Sequence, residues 1–237
     1  LDCKCNYPMY GDGDDGFVLR PDAGGHFNNF KSLLASFAVY FEESSFKRSD
    51  VVWDEKNELL FGMSGHQKFE SLGCVGETCG ENAFYDGRYI FKKHWGSAKE
   101  SEIYLYFDAA PLGFLSIAAH GHADALSFIL HVDGLPILVD PGTFTYHTDK
   151  VSRSYFVQTL SHNTVCVNGK NQAKQSGPTM WLSHYRCKTL NVGDDFVEAT
   201  HDGYKSEGVE HVRTVTFHRE NNEFEIKDVL RWSSPAV

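Results

Sequence analysis

The 237-residue chain lacks the features that define several protein classes. It has no run of 18 uncharged apolar residues, so we expect no transmembrane helix. It has only 22 lysines and arginines against 32 aspartates and glutamates, for a net charge of −10. No basic stripe is available to neutralise phosphates, which excludes nucleic acid as a partner. No basic, apolar leader opens the chain either, but Leu1 is not an initiator methionine, so this does not bear on export.

The cysteines do not form a zinc-ribbon pattern. Cys74 and Cys79 flank Val-Gly-Glu-Thr and suit a small disulfide or half of a metal site. No C-x-x-C pair is present to complete a four-cysteine zinc site. The total of six cysteines is compatible with an oxidising compartment without requiring one.

Helical periodicity is confined to the first quarter of the chain. Between His26 and Phe46, apolar residues recur every three or four positions, which predicts an amphipathic helix with Asn28 or Asn29 as its N-cap. A second helix is predicted around Trp53–Phe61, ending at Gly62. Two helices with one apolar face each cannot bury those faces alone. We therefore expect them to belong to a helical layer whose other members lie outside this chain.

Beyond Gly62 the pattern is that of β-structure. Residues 64–82 read as a glycine-rich connector, and the turn pairs Asp86-Gly87, Asp133-Gly134 and Asn168-Gly169 predict type I′ hairpins. Many short strands with one apolar face predict an antiparallel β-sandwich. The predicted strands are 83–85, 88–92, 102–107, 126–132, 135–139, 164–167, 181–190, 196–200, 210–218 and 224–232.

The stretch from Ala118 to Gly142 carries the residues best suited to chemistry. The hairpin at Asp133-Gly134 returns Asp140 to a point opposite Ser127 or nearby, a few residues from His122. A further imidazole arrives at His162. Two imidazoles and one carboxylate with an open fourth position form the pattern of a catalytic zinc site. In an extended segment His120 and His122 point to the same side, so His120 is expected beside this site.

Two other metal-binding motifs are each ruled out by one residue. The run Gly11-Asp12-Gly13-Asp14-Asp15-Gly16 resembles a calcium loop, but the twelfth position from Asp12 is Ala23 and not glutamate. We interpret this run as a polar turn. The H-x-H-x-D-H motif of binuclear zinc hydrolases requires a histidine where Ala125 stands, which excludes that class.

Two longer stretches carry a family resemblance. HGHADALSFILHVDGLPILVDPGTFTY (120–146) and RSYFVQTLSHNTVCVNGKNQ (153–172) resemble the heparinase II/III-like polysaccharide lyases, which include heparin, heparan sulfate and oligoalginate lyases. GDGDDGFVLRP and the helix after it resemble the end of the family's N-terminal (α/α) toroid. The resemblance implies a mainly β fold. Residues 1–72 would be the last helices of a truncated toroid, and residues 73–237 an antiparallel β-sandwich that is truncated at its C-terminus.

The resemblance also implies roles for individual residues. The family's zinc ligands correspond to His122, Asp140 and His162, with the Zn²⁺ mainly organising the cleft. His120 corresponds to a histidine that faces the substrate, where it neutralises a uronate carboxylate or carries protons. Tyr146 is expected to take part in catalysis and Arg153 to contact the substrate, both from one loop. The family's main tyrosine and histidine acid/base pair lies on toroid helices that this sequence does not contain.

The implied activity is β-elimination on an acidic polysaccharide. A base removes the proton next to the uronate carboxylate, and the 4-O-linked sugar is expelled while the carboxylate charge is neutralised. The resemblance implies a heparin-, heparan sulfate- or alginate-like substrate and a periplasmic or secreted protein, and it leaves a homodimer open. The alternative function is a non-catalytic carbohydrate-binding or structural sandwich with a structural zinc.

Overall fold

The computed structural model describes residues 2–4, 6–13, 28–74, 82–94 and 100–233. Asp14 to Gly16 of the predicted polar turn and Cys79 lie outside these ranges. The helices described are α1 (Asn29–Phe41), α2 (Glu55–Ser71) and α3 (Lys150–Val157), and short 3-10 turns occupy Ser44–Phe46, Leu115–Ile117, Thr159–Ser161 and Lys205–Glu207. None of these helices is long and apolar enough to cross a bilayer.

The strands described pair antiparallel throughout, as predicted. A five-stranded sheet has the order β1-β2-β3-β4-β5, a four-stranded sheet the order β11-β10-β9-β8, and β6 pairs with β7 alone. The strands are β1 (Ala83–Tyr85), β2 (Arg88–Lys93), β3 (Ile103–Asp108), β4 (Phe128–Val132), β5 (Leu135–Leu138), β6 (Gln175–Gly177), β7 (Met180–Trp181), β8 (Cys187–Val192), β9 (Phe196–His201), β10 (Val209–His218) and β11 (Glu223–Trp232).

The main core lies between the two larger sheets. Phe91 and Phe107 of the five-stranded sheet share one buried cluster with Val197, Val215 and Phe217 of the four-stranded sheet. Alternate residues of each strand enter this cluster, because successive side chains of a strand point to opposite faces. The predicted antiparallel β-sandwich is confirmed.

The predicted helix N-cap and the predicted helix end at Gly62 are confirmed, but the helix that follows Gly62 was not predicted. The Asn28 side chain accepts hydrogen bonds from the first backbone N–H groups of α1. Gly62, with φ 60° and ψ −166°, is not helical and ends the first helical stretch of α2, and a second stretch follows directly and continues to Ser71. Phe69 of the second stretch is buried against α1, and Lys47 Nζ binds the carbonyls of Phe69 (2.7 Å) and Leu72 (3.0 Å). This packing stabilises the second helical stretch, so the predicted connector over 64–82 is wrong up to Ser71, and residues 75–81 of it lie outside the described ranges.

Two of the three predicted hairpins form as expected. Both residues of Asp86-Gly87 and of Asp133-Gly134 have the positive φ that a type I′ turn requires. Asn168-Gly169 has the same geometry, but it closes only a single bridge between Val167 and Lys170, so the predicted strand 164–167 is wrong.

The predicted strand 181–190 is interrupted. After β7 the chain turns, with the N–H of Leu182 donating to the carbonyl of Lys174 (2.8 Å), and it re-enters the sheet at β8. The turn places Tyr185 in a buried position, where its hydroxyl donates to the carbonyl of His122 (3.2 Å). A regular strand could not deliver this side chain to the His122 loop.

The N-terminal segment lies against the outer face of the five-stranded sheet. Tyr10 stacks on Tyr106 with 4.9 Å between ring centroids, and Asp2 Oδ2 lies 3.0 Å from Nδ1 of the buried His131. His131 is therefore a buried residue whose hydrogen bond is satisfied by Asp2. These contacts fix the path of residues 6–13, which end beside His120.

Candidate metal centre

Four side chains converge at one edge of the sandwich. The ligand atoms of His122, Asp124, Asp140 and His162 all lie within 4.8 Å of one another. His122 lies in the loop after the 115–117 turn, Asp140 follows β5, and His162 follows the 159–161 turn. The structure thus brings together all three predicted zinc ligands and adds Asp124, which the sequence reasoning left out of the ligand set.

The hydrogen bonds of the two imidazoles determine which nitrogens face the cluster. His122 Nε2 lies 3.0 Å from Asp12 Oδ1, and His162 Nδ1 lies 2.8 Å from the carbonyl of Gln158. Each of these partners accepts a hydrogen bond, so each of these nitrogens carries the proton of a neutral ring. The other two nitrogens, His122 Nδ1 and His162 Nε2, then hold lone pairs that face each other across 3.2 Å.

This donor set suits a zinc ion. Asp140 Oδ2 lies 3.3 Å from His162 Nε2, so two imidazole lone pairs and a carboxylate occupy one small volume. Three such groups repel each other unless a cation or a shared proton lies among them. Zinc accepts neutral imidazole and carboxylate ligands, and a histidine ligand commonly donates its other N–H to a carboxylate or a carbonyl. His122 and His162 meet both conditions.

Burial sets the charge state of the ligands. It lowers the pKa of His162 to about 4, so this ring is neutral at pH 7, as a metal ligand must be. Burial, reinforced by the charge of Asp124, raises the pKa of Asp140 to about 8. A carboxylate held in such a place gains its charge readily only beside a cation. Asp124 is buried as well, and it accepts a hydrogen bond from the Tyr185 hydroxyl (3.1 Å).

Asp12 is the residue that sequence reasoning missed. Its side chain is fully buried and lies 3.0 Å from His122 Nε2, 3.1 Å from His120 Nδ1 and 2.7 Å from Arg153 Nη2. Burial opposes its charge, but hydrogen bonds from His122 and Arg153 hold the pKa of Asp12 below its usual value. The interpretation of this run as a polar turn overlooked these contacts. The one signal available was that Asp12 stands in a glycine-rich stretch included in the family resemblance.

His120 lies beside the cluster, but not for the predicted reason. The segment is not extended, because Ala118 (φ 47°) and His120 (φ 61°) adopt left-handed backbone. His120 does not share the burial of His122 and leaves 58% of its side chain exposed, against 0% for His122. Both rings still meet the same carboxylate, that of Asp12.

Tyr146 and Arg153 lie next to His120 and Asp12, and the four residues form a group beside the ligand cluster. The Tyr146 ring meets His120 edge-on at 5.9 Å, and its hydroxyl donates to the carbonyl of Gly13 (2.7 Å). The Arg153 guanidinium lies 5.2 Å from the Tyr146 ring centroid and donates from Nε to the carbonyl of Pro178 (2.6 Å). Arg153 is buried, and it binds Asp12 through two nitrogens. Its observed contacts hold the site together, and its predicted contact with substrate stays a prediction.

Two cavities adjoin this group. One, of about 370 Å³, is lined by Tyr10, Asp12, Arg88 and His120, among others. The second, of about 340 Å³, is lined by Tyr146, Lys150 and Arg153 together with residues of β6. The exposed imidazole of His120 therefore lies next to space that a ligand can enter.

The protein is thus a two-sheet antiparallel β-sandwich with a histidine and aspartate cluster at its edge that could hold a metal ion. The model of the family described as heparinase II/III-like, C-terminal, matches residues 87–236. The chain belongs to this family. No curated protein sequence gives a significant match.

Solved structures share the fold. The heparan sulfate lyase HepC from Pedobacter heparinus is 19% identical, with a TM-score of 0.58, over 98% of this chain and 30% of that one. A heparinase III gene product is also 19% identical, with a TM-score of 0.60, over 96% of this chain and 30% of that one. At this identity the likeness establishes the fold. The chain spans about 30% of the length of these two proteins.

Proposed function

We propose that this chain is the zinc-binding sandwich part of a polysaccharide lyase that cleaves a uronic-acid polysaccharide by β-elimination. The observation that carries the proposal is the pairing of a buried cluster of metal ligands with one exposed imidazole, His120, through the shared carboxylate of Asp12. Family membership supports the reaction class, and two structures with the same fold are a heparan sulfate lyase and a heparinase III.

His120 is proposed to act directly on the substrate. Asp12 binds its Nδ1, which leaves Nε2 of the exposed ring for a sugar. In β-elimination, charge builds on the uronate carboxylate as the neighbouring proton leaves, and a hydrogen-bond donor at that carboxylate lowers the barrier. His122, Asp140 and His162 would hold the zinc, which would supply fixed positive charge to the site. His120 supplies the donor or carries the proton.

Tyr146 is proposed as the second proton carrier of this chain. A tyrosine with its ordinary pKa near 10 needs a nearby positive charge to act as a base. The guanidinium of Arg153 lies 5.2 Å from the Tyr146 ring, and His120 meets the same ring at its edge. Lys150 lines the cavity that Tyr146 and Arg153 share, and its charge suits a uronate or sulfate group there.

The helices fit the proposed domain division. α1 and α2 pack on each other around a small cluster of their own and are proposed to be the last helices of an (α/α) toroid, with the domain boundary at residues 72 and 73. Further acid/base groups would then come from preceding toroid helices. A polymeric acidic substrate is consistent with the proposed periplasmic or secreted location.

One observation favours the second candidate, a structural zinc in a non-catalytic module. The cluster contains four ligand residues, one of which is Asp124, and His122 and His162 are buried. A closed set of four protein ligands is typical of structural zinc, whereas a catalytic zinc keeps one open position. The two candidates differ in what they require of His120, which only the lyase needs.

An absorbance assay for the unsaturated uronyl product separates the two candidates. The full-length gene product is incubated with heparan sulfate, alginate and unsulfated polyuronates. The lyase proposal predicts product from at least one of them and its loss in the His120→Ala variant with zinc content unchanged. If no product forms from any polyuronate while sugar binding and zinc are retained, the structural module is correct.

A further inference from the structure

The cavity of about 370 Å³ is lined by an arginine, Arg88, whose Nε has no hydrogen-bond partner among the described residues. It lies between the N-terminal segment and the outer face of the five-stranded sheet, and we call it the Arg88 cavity. Its volume falls within the range of ordinary ligand sites. Its lining includes Tyr7, Tyr10, Arg88, Asp108 and His120.

Arg88 reaches this cavity because of its place in β2. Tyr89 and Phe91 point into the sandwich core, so Arg88 points to the opposite face. The Arg88 guanidinium lies 6.0 Å from the ring centroid of Tyr10. Its Nε is a buried donor with no hydrogen-bond partner among the described residues. A buried charged donor left unpaired is costly, and an incoming anion removes that cost.

The acidic residues that line the same cavity are already engaged. Asp108 accepts hydrogen bonds from the Tyr106 hydroxyl (3.1 Å) and from the N–H of Ala110 (2.7 Å). Asp12 and Asp124 are bound by the contacts given above. None of the described carboxylates lies within ion-pair distance of Arg88. Arg88 interacts with Tyr10 and with the charge of Asp108, but its Nε keeps no hydrogen-bond partner among the described residues and is available to an anion that enters.

We propose that the Arg88 cavity is a subsite for an anionic group of an acidic sugar, a carboxylate or a sulfate, bound by the Arg88 guanidinium. The subsite deepens the proposed function and rests on it for the identity of the polymer. It shares no lining residue with the cavity that contains Lys150 and Arg153, yet both cavities adjoin the group around His120 and Asp12. A polyanion passing His120 would therefore meet a cation in each cavity. An arginine suits this task because its planar fork matches carboxylate and sulfate oxygens.

The test measures binding of three hexasaccharides to the full-length gene product by calorimetry. The probes are a heparan sulfate hexasaccharide, its unsulfated uronate counterpart and a neutral glucan hexasaccharide. The variants are Arg88→Gln and Arg88→Lys. The matched control is Lys227→Gln, which removes one charge from an exposed position on β11.

Arg88→Gln is expected to weaken binding of the acidic probes about 10- to 100-fold, because it removes a charged hydrogen bond. Arg88→Lys should bind with intermediate affinity, and Lys227→Gln should bind as the wild type does. A loss confined to the sulfated probe identifies a sulfate, and an equal loss for both acidic probes identifies the carboxylate. Unchanged affinity of folded Arg88→Gln for both acidic probes overturns the subsite.

A second measurement needs no variant. The arginine reagent phenylglyoxal is applied to the wild-type protein with and without the acidic hexasaccharides, and modification is followed by mass spectrometry. The subsite predicts slower modification of Arg88 and an unchanged rate at the exposed Arg186. Equal rates at Arg88 with and without sugar overturn it. If the protein forms no lyase product but Arg88 still governs binding, the proposed function fails and the subsite stands. If the protein forms lyase product but Arg88 does not govern binding, the subsite alone fails.

Discussion

Asp12 and His122 are 110 positions apart in the chain and lie 3.0 Å apart in the structure, from Oδ1 to Nε2. This contact fixes the tautomer of His122 and turns its Nδ1 toward His162 and Asp140. The same carboxylate also binds His120 and Arg153. Asp12 thus links the buried ligand cluster to the exposed imidazole that is proposed to meet the substrate.

Removal of the Asp12 carboxylate should weaken metal binding. Carboxylates that hold a histidine ligand typically change metal affinity by about 10- to 100-fold when mutated. We expect Asp12→Asn to reduce zinc affinity in this range, measured by competition with a chromophoric chelator. Asp86→Asn, at a type I′ turn position that accepts asparagine, is the control and should retain wild-type affinity. Equal zinc affinity of Asp12→Asn and wild type would show that Asp12 does not position His122.

His120 should matter for turnover and not for zinc. Its ring is exposed and lies outside the four-residue ligand cluster. The His120→Ala variant is expected to lower kcat on a cleaved polyuronate by about 10²- to 10⁴-fold, the usual contribution of an acid/base group. Zinc content, measured by mass spectrometry on the same sample, should stay at the wild-type level. A kcat within threefold of wild type, on the order of 1 kcal/mol or less in the barrier, would count against a catalytic role.

Gly121, which stands between His120 and His122, allows its segment to pack closely against the backbone of Gly113. A Cβ at this position would lie 2.5 Å from the backbone nitrogen of Gly113 and 2.7 Å from its Cα. We expect Gly121→Ala to lower the free energy of unfolding by about 1–3 kcal/mol, because two backbone segments must move apart. Denaturant titration measures this. Gly73→Ala is the control, since a Cβ there meets nothing within 4 Å. Equal stability of the two variants would contradict the tight packing at Gly121.

A second histidine pair makes stability depend on pH. Burial, with the charges of His211 and Arg213, lowers the pKa of His201 to about 3. The unfolded chain binds a proton at His201 below pH ~6.5 and the folded chain does not, so the stability gained from neutral His201 is present above pH ~6.5 and lost as pH falls toward 3. The free energy of unfolding should fall by up to about 1.4 kcal/mol per pH unit from this residue.

The His201→Gln variant tests this dependence. Unfolding in denaturant is followed at several pH values between 7 and 4.5 for the variant and the wild type, a range chosen around the histidine pKa of about 6.5. The variant should show a shallower decline in stability with falling pH, whatever its stability at neutral pH. Parallel curves for the two proteins would show that His201 does not titrate differently in the folded and unfolded states.

The parts of the fold that were predictable depend on local chemistry. Asp86-Gly87 and Asp133-Gly134 form type I′ turns because their sequence permits positive φ, and Asn28 caps α1 because its side chain reaches the next N–H groups. Gly62 ends a helical stretch, as its local signal predicts, but the stretch that follows it up to Ser71 was predicted as a connector. That stretch is held by burial of Phe69 against α1. Such a contact cannot be read from spacing along the chain.

In the candidate site, too, some residues are placed by local turn chemistry and others by long-range packing. His122 and Asp140 flank one hairpin, so turn chemistry alone brings them near each other. Asp12 reaches its partners only through the path of the N-terminal segment across the sheet, and Tyr185 through a break between β7 and β8. Neither Asp12 nor Tyr185 belongs to a periodic pattern or a turn pair that would predict its position. Long-range packing decides both, which is why the sequence predicted three metal ligands and missed the residues that hold them.

Metal content and coordination test the proposed zinc site most directly. Zinc is measured by mass spectrometry and its ligands by X-ray absorption, for the wild type, for His162→Ala and for the exposed control His147→Ala. We predict one zinc per chain in the wild type and the control, with two imidazole nitrogens and carboxylate oxygen at about 2.0–2.2 Å, and a loss of zinc in His162→Ala. A wild-type protein that takes up no zinc, or a His162→Ala variant that retains it in full, would contradict the account.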